Sequence, residues 1–183
     1  MAKDGFKILV VDDDPIAREV VFSILSREGY AVISARDGFE AIDLLRKDNY
    51  DLLITDLVMP GIDGIELIKS ALKINPDLAT VIITAFGTLD SALKAIDLGA
   101  YDYITKPFKI EEVLFLVVRC KKMINLQREN KNLKTVLAYL LKGAVDLEKL
   151  PPDILDKIEH SGILTEAEVK LYKKKMENGY GQA

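Results

Sequence analysis

Five short apolar runs set the terms for the N-terminal part of this sequence: Lys7-Ile8-Leu9-Val10-Val11, Ala31-Val32-Ile33-Ser34, Leu52-Leu53-Ile54-Thr55, Thr80-Val81-Ile82-Ile83-Thr84 and the shorter Tyr101-Asp102-Tyr103-Ile104. The central runs are apolar almost throughout rather than alternating, the mark of strands buried on both faces. Amphipathic stretches lie between them. One opens at Pro15, carries Ile16, Val20, Ile24 and Leu25 on one face and ends near Gly29; the next carries Ala41, Ile42, Leu44 and Leu45. A third runs from about Ile65 to Ile74 and is stopped by Asn75-Pro76, and a fourth runs from Leu89 to Leu98 and is closed by Gly99. Short helical crossovers between buried strands demand a parallel sheet with helices on both faces. The expected fold is α/β, a doubly wound five-stranded parallel sheet of (βα)5 order within roughly 120 residues.

With 183 residues, 49% hydrophobic and 30% charged, the chain can bury one good core, and roughly 50 to 60 residues remain for an appendage. A formal charge of -4 and a pI near 5.2 give no general pull toward nucleic acid or anionic membrane. The single cysteine, Cys120, excludes an intramolecular disulfide and is expected in the core. No apolar run is long enough to span a bilayer, and Met1 to Phe6 lacks the apolar stretch of a signal peptide, so the cytoplasm is the expected compartment.

Asp51-Leu52-Leu53-Ile54-Thr55-Asp56 drives a buried run straight into a carboxylate, and Leu57-Val58-Met59-Pro60-Gly61-Ile62-Asp63-Gly64 turns the chain at once. Asp56 is thus expected at the C-terminal end of a strand, facing the crevice where open parallel sheets bind ligands. The first run stops the same way, at Asp12-Asp13-Asp14-Pro15. In such a sheet the C-terminal ends of the first, third, fourth and fifth strands lie side by side, so Asp12, Asp13 and Asp56 converge. Three carboxylates in one crevice repel unless a cation joins them, and oxygen ligands with room for water suit Mg²⁺. Thr84 ends the fourth strand and Lys106 follows the fifth, just before Pro107. A hydroxyl and a fixed ammonium facing that crevice match the needs of phosphoryl oxygens. Taken singly, an acidic triplet is a solvated turn, a strand-end threonine is β-propensity and a lysine is surface. Their joint placement at four strand ends makes them a site.

Residues 5–122 resemble the receiver domain of two-component response regulators, through Val10-Val11-Asp12-Asp13-Asp14, Asp56-Leu57-Val58-Met59-Pro60-Gly61-Ile62-Asp63-Gly64, Thr84-Ala85 and Lys106-Pro107-Phe108 in order and spacing. The resemblance implies a flavodoxin-like sheet with Asp56 as phosphoacceptor, served by the histidine of a sensor kinase or by a phosphotransfer protein. It implies Mg²⁺ held directly by Asp13, largely through water by Asp12, and by Asp56 and the backbone carbonyl of Val58. Thr84 and Lys106 would grip the phosphoryl oxygens, and the peptide before Pro107 would be cis. The family pattern gives Asp14 no metal role. Tyr103, three residues before the lysine, would move inward as Thr84 turns toward the phosphoryl group, remodelling the face made by the 89–98 helix, the fifth strand and the helix from Ile110. Asp56 would be consumed and regenerated rather than turn over a substrate, so no enzyme beyond self-phosphorylation and self-dephosphorylation is expected. Val58 and Phe86, each two residues past a site residue, are apolar where polar side chains would guide water, which points to slow self-dephosphorylation.

The last receiver helix starts near Ile110 and meets no breaker until Gly143. Val113, Val117, Cys120 and Ile124 form a stripe expected to pack on the sheet. A heptad then emerges over residues 123–142, with Met123, Asn130 and Leu137 at a, Leu126, Leu133 and Leu140 at d, and Glu129 at g able to reach Lys134 at e of a partner chain. A short parallel coiled coil and a homodimer follow, against the alternative of a helix folded onto the tail. Residues 143–183 read as a linker and a helical hairpin, with Pro151-Pro152 before one helix and a capping box at Thr165-Glu166-Ala167-Glu168 opening another. The pattern from Ser161 to Glu168 is weakly similar to short C-terminal oligomerisation hairpins. Lys173-Lys174-Lys175 reads as a solvated helix end, and His160 as a surface helix residue.

Three classes of function are weighed. The leading one is a response regulator that switches protein–protein contacts or dimer arrangement. A second is a transcriptional or antitermination regulator whose tail touches DNA or RNA, disfavoured because no aromatics interleave the lysines. A third is a phosphatase of the haloacid dehalogenase type, which Asp12 and Asp14 fit in spacing while leaving the Asp56 and Lys106-Pro107 motifs unexplained.

Overall fold

The computed structural model describes residues 5–85 and 96–141, with the side chains of the last helix described through Lys134. The elements run β1 (Lys7–Val11), α1 (Pro15–Arg27), β2 (Ala31–Ala35), α2 (Gly38–Lys47), β3 (Leu52–Thr55), α3 (Gly64–Ile74), β4 (Ala79–Thr84), β5 (Asp102–Thr105) and α4 (Ile110–Leu141). The Cα trace divides into two compact units, Met1–Ile124 and Asn125–Ala183. The 89–98 helix, except its end at Ile96 and Asp97, lies outside the described residues, as do Phe86 and the 143–183 hairpin.

All strands are parallel, in the order β2-β1-β3-β4-β5. The chain leaves β1 toward β2 on one side and returns to β3 on the other. The C-terminal ends of β1 and β3 therefore flank the point where the winding reverses, the crevice of a doubly wound sheet. Register holds those ends level, with Val11 opposite Thr55 and Thr84 opposite Thr105.

Strand parity builds two cores. Ile8, Val10, Leu52, Ile54, Val81 and Ile83 pack on one face with Val21 and Leu25 of α1 and with Val113, Val117, Cys120 and Ile124 of α4. Leu9, Val11, Leu53 and Ile82 pack on the other with Ala41 and Leu45 of α2 and Leu67, Ile68 and Ala71 of α3. Each such side chain taken from water contributes roughly 1.5 to 3 kcal/mol before entropy is charged against it. Burial among these groups pushes the Cys120 thiol up to about 12, so it acts as an apolar filler.

The expected face of α1 requires correction. Ile16 is 75% exposed and Val20 is 44% exposed, whereas Val21 and Leu25 are buried. Two apolar stripes share Leu25's neighbourhood in this short helix, and the spacing of four between Val21 and Leu25 is the one that meets the sheet.

Three of the helices begin at an aspartate that caps them. Asp14 accepts from Ile16 N at 2.9 Å, Asp37 from Glu40 N at 2.8 Å and Asp63 from Glu66 N at 2.8 Å. Each cap satisfies an orphan amide and favours the positive end of the helix dipole. At the start of α4, Glu112 Oε2 accepts from Lys109 N at 3.1 Å, half of a capping box. Along α4 the buried stripe ends at Ile124, and Met123 packs against the first core rather than standing free, while Leu126 and Leu133 are exposed.

Candidate functional site

The backbones of the site residues are tied into the ends of the ladder. Asp56 N donates to Val11 O at 2.9 Å, Asp12 N to Ala35 O at 3.3 Å, and Lys106 N to Thr84 O at 2.8 Å. Asp12 is 4% exposed and Asp56 8%, whereas Asp13 is exposed. One ligand oxygen from each of Asp12, Asp13 and Asp56 lies within 4.8 Å of the others, so the convergence expected from strand order is realised.

Lys106 ties two of the three together. Its Nζ donates to Asp12 Oδ2 at 2.7 Å and to Asp56 Oδ2 at 2.8 Å. The second oxygens are also engaged. Asp12 Oδ1 accepts from Asp14 N at 3.0 Å; Asp56 Oδ1 accepts from Leu57 N at 2.5 Å and from Val58 N at 3.3 Å. Burial pushes the Asp12 carboxyl above its usual value, against the pull of Lys106 and the Asp14 amide, and the charge of Asp56 adds to the rise. Burial works to lower Lys106, yet its hydrogen bonds to Asp12 and Asp56 and their charges hold it above its usual value.

Thr84 is fully buried at the end of β4. Tyr103 on β5 is half-buried against the second core, opposite Ile82 in register. The Lys106–Pro107 peptide is cis, as expected. Val58 is 51% exposed in the loop after β3. Asp14 stands apart from the cluster because its side chain caps α1.

Sequence reasoning gave two contributors no role of their own. Gly64 opens α3, and a Cβ there would run into the Asp56 carbonyl and reach Leu57 Cα at 3.0 Å, so only glycine lets the helix start this close to the strand end. Its amide donates to Leu57 O at 2.9 Å, which closes the loop on itself. The signal was a glycine immediately after a capping aspartate. Arg18, one turn into α1, donates from Nη1 to Asp12 O at 2.6 Å. Its signal was an arginine four residues after the cap Asp14, on the helix that leaves the acidic strand end.

A doubly wound sheet with three acids and a bridging lysine at its switch point is the architecture of a phosphoacceptor module. The chain belongs to the response regulator receiver domain family, whose family model matches residues 8–117, and it carries the receiver domain of a two-component response regulator. Response regulator MprA of Mycobacterium tuberculosis strain H37Rv is 41% identical over 108 residues, 59% of this chain and 47% of the relative. The chain thus matches about half the length of that curated relative. Among solved structures, NtrX from Brucella abortus in complex with ATP is similar with a TM-score of 0.68 at 34% identity, over 70% of this chain and 30% of that one. A CheY-like receiver domain protein from Methanospirillum hungatei JF-1 is similar with a TM-score of 0.61 at 27% identity, over 68% of this chain and 98% of that one.

Two substitutions probe the geometry. Lys106→Met leaves two buried carboxylates facing each other and is expected to lower stability by about 3 kcal/mol at neutral pH in urea unfolding with EDTA present. Because the Lys106 value is raised above 10.5, its contribution is whole below that pH and fades as pH climbs through the raised value; the gap between native and variant should shrink there. Gly64→Ala forces the Asp56 loop to move and is expected to cost more than about 1 kcal/mol, read in the same urea titration.

Proposed function

We propose that Asp56 accepts a phosphoryl group from the histidine of a sensor kinase or phosphotransfer protein, with Mg²⁺ held by Asp12, Asp13, Asp56 and the Val58 carbonyl. The observation that carries this reading is the approach of the three carboxylates to within 4.8 Å of one another, with Lys106 bonded to two of them. An all-oxygen donor set with one exposed member fits a hard cation that keeps several waters. When bound, Mg²⁺ supplies positive charge to the oxygens of the phosphoryl group as it is transferred.

The residues of this chain do the rest. An Asp56 oxygen forms a bond to phosphorus as the nitrogen–phosphorus bond of the donor breaks, and the departing imidazole keeps the electron pair. The amides of Leu57 and Val58 orient the Asp56 carboxylate by bonding Oδ1. Lys106 stays within reach of the group that arrives on Asp56 and trades a carboxylate bond for a phosphoryl oxygen. Thr84 at the neighbouring strand end turns its hydroxyl toward the same group, and Tyr103 follows it inward as the switch. Asp14, taken up by the α1 cap, leaves the dehalogenase-type spacing without its second acid.

We divide the chain into a receiver over 5–122, a coiled-coil extension over 123–142 and a linker with hairpin over 143–183. Exposed Leu126 and Leu133, with Asn130 between them, support a homodimer through the extension. Output then runs through protein contacts or dimer arrangement, in the cytoplasm; among the described residues no helix is long and apolar enough to cross a membrane.

Incubation with acetyl phosphate and Mg²⁺, followed by intact mass, is expected to add one phosphoryl group to the native chain and none to Asp56→Asn. Size exclusion with light scattering on each sample then reports whether the dimer stands before phosphorylation or forms with it. An unmodified native chain under Mg²⁺-binding conditions would remove the reading. Mg²⁺ affinity should also fall with acid at a pH above 3.8, because burial makes Asp12 hold its proton longer than a free aspartate and the cation must displace it; calorimetric titration across that range reads the slope.

A further inference from the structure

Asp12 is gripped at four points. Its amide donates to Ala35 O, its Oδ1 accepts from Asp14 N, its Oδ2 accepts from Lys106 Nζ, and its carbonyl accepts from Arg18 Nη1 at 2.6 Å. Asp13, next in the chain, is exposed, and among the described residues its carboxylate has no hydrogen-bond or ion-pair partner. Among the described residues, its direction is therefore set by the backbone alone. The peptide joining the two residues is planar, so holding the Asp12 carbonyl fixes the plane from which Asp13 departs. We propose that Arg18 is a positioning residue for the cation site, aiming the Asp13 carboxylate at the space between Asp12 and Asp56 through its hold on the Asp12 carbonyl. The inference rests on the reading of these three aspartates as the Mg²⁺ site.

The two cations of the site differ in kind. Lys106 occupies an oxygen of Asp12 and one of Asp56, so it competes with an arriving metal ion for ligands. Arg18 brings permanent positive charge to the same strand end while bonding a backbone carbonyl, and among the described residues it forms no ion pair. It steadies the acidic loop without consuming a carboxylate oxygen.

Removing Arg18 sets two effects against each other, and their signs separate the proposal from its rival. Loss of a nearby positive charge strengthens Mg²⁺ binding, whereas loss of the grip on the peptide weakens it, by the tenfold or more that partners of metal ligands typically carry. The test is calorimetric titration of Mg²⁺ into the full chain, native, Arg18→Met and Arg18→Lys, with each variant checked by circular dichroism and thermal unfolding in EDTA. The dissociation constant should rise about tenfold in Arg18→Met, and Arg18→Lys, which keeps a donor, should recover most of it. In the acetyl phosphate reaction the half-saturating Mg²⁺ concentration should rise in parallel, while the rate at saturating Mg²⁺ stays within about twofold. An Arg18→Met chain that folds and binds Mg²⁺ as tightly as native, or more tightly, overturns the proposal. If Arg18→Met does not fold, Arg18→Gln takes its place, because its shorter side chain loses the charge and falls short of the Asp12 carbonyl: its dissociation constant should rise as for Arg18→Met, and a folded Arg18→Gln chain that binds Mg²⁺ as tightly as native overturns the proposal. A flat native titration would overturn the site reading itself, and this inference with it.

Discussion

Closing a parallel sheet over Asp12 and Asp56 strips solvent from two like charges, and the fold is tenable because Lys106 lies 2.7 Å from one and 2.8 Å from the other. Two carboxylates this deep without a partner would each take up a proton or expel each other from the crevice. The lysine comes from beyond β5, the last strand of the sheet, and its amide is pinned to the carbonyl of Thr84. The order β1-β3-β4-β5 must therefore be complete before the charges are balanced. Assembly of the sheet and assembly of the site are one event.

The compensation is deliberately short of neutral. Three carboxylates face one bridging ammonium, and the third, Asp13, is left toward solvent. Burial raises the Asp12 carboxyl, so the folded chain holds a strained acid where the sheet could have carried an apolar residue. Such unrelieved charge is a common cost of functional sites. The rest of the domain is correspondingly conventional: two apolar layers of opposite strand parity, and aspartate caps on the helices that leave the strand ends.

Most of this architecture was legible from residue order. Continuous apolar runs located β1, β3 and β4 to within a residue or so, because a strand buried on both faces has no polar positions to blur its limits. Strand order then brought Asp12, Asp13 and Asp56 together, and the stripe of Val113, Val117, Cys120 and Ile124 packs as its spacing required. A short helix with apolar residues on several sides does not say which stripe meets the sheet; the core on the α1 side takes in Val21 and Leu25, not Ile16 and Val20. Met123 was assigned to the heptad but is taken by the receiver core. Arg18 escaped notice for a different reason. Its partner is a backbone carbonyl, and the sequence marks where the arginine lies but not which main-chain acceptor it reaches.

Gly64 has a consequence for how this chain tolerates change. No reacting group resides there, yet a single added carbon would run into the carbonyl of Asp56, the proposed phosphoacceptor. Tolerance at position 64 is therefore governed by volume and not by reactivity. In a lineage of such sequences the position would be frozen as firmly as an acid of the crevice, and a map of harmful variants would mark it beside Asp56 for purely geometric reasons.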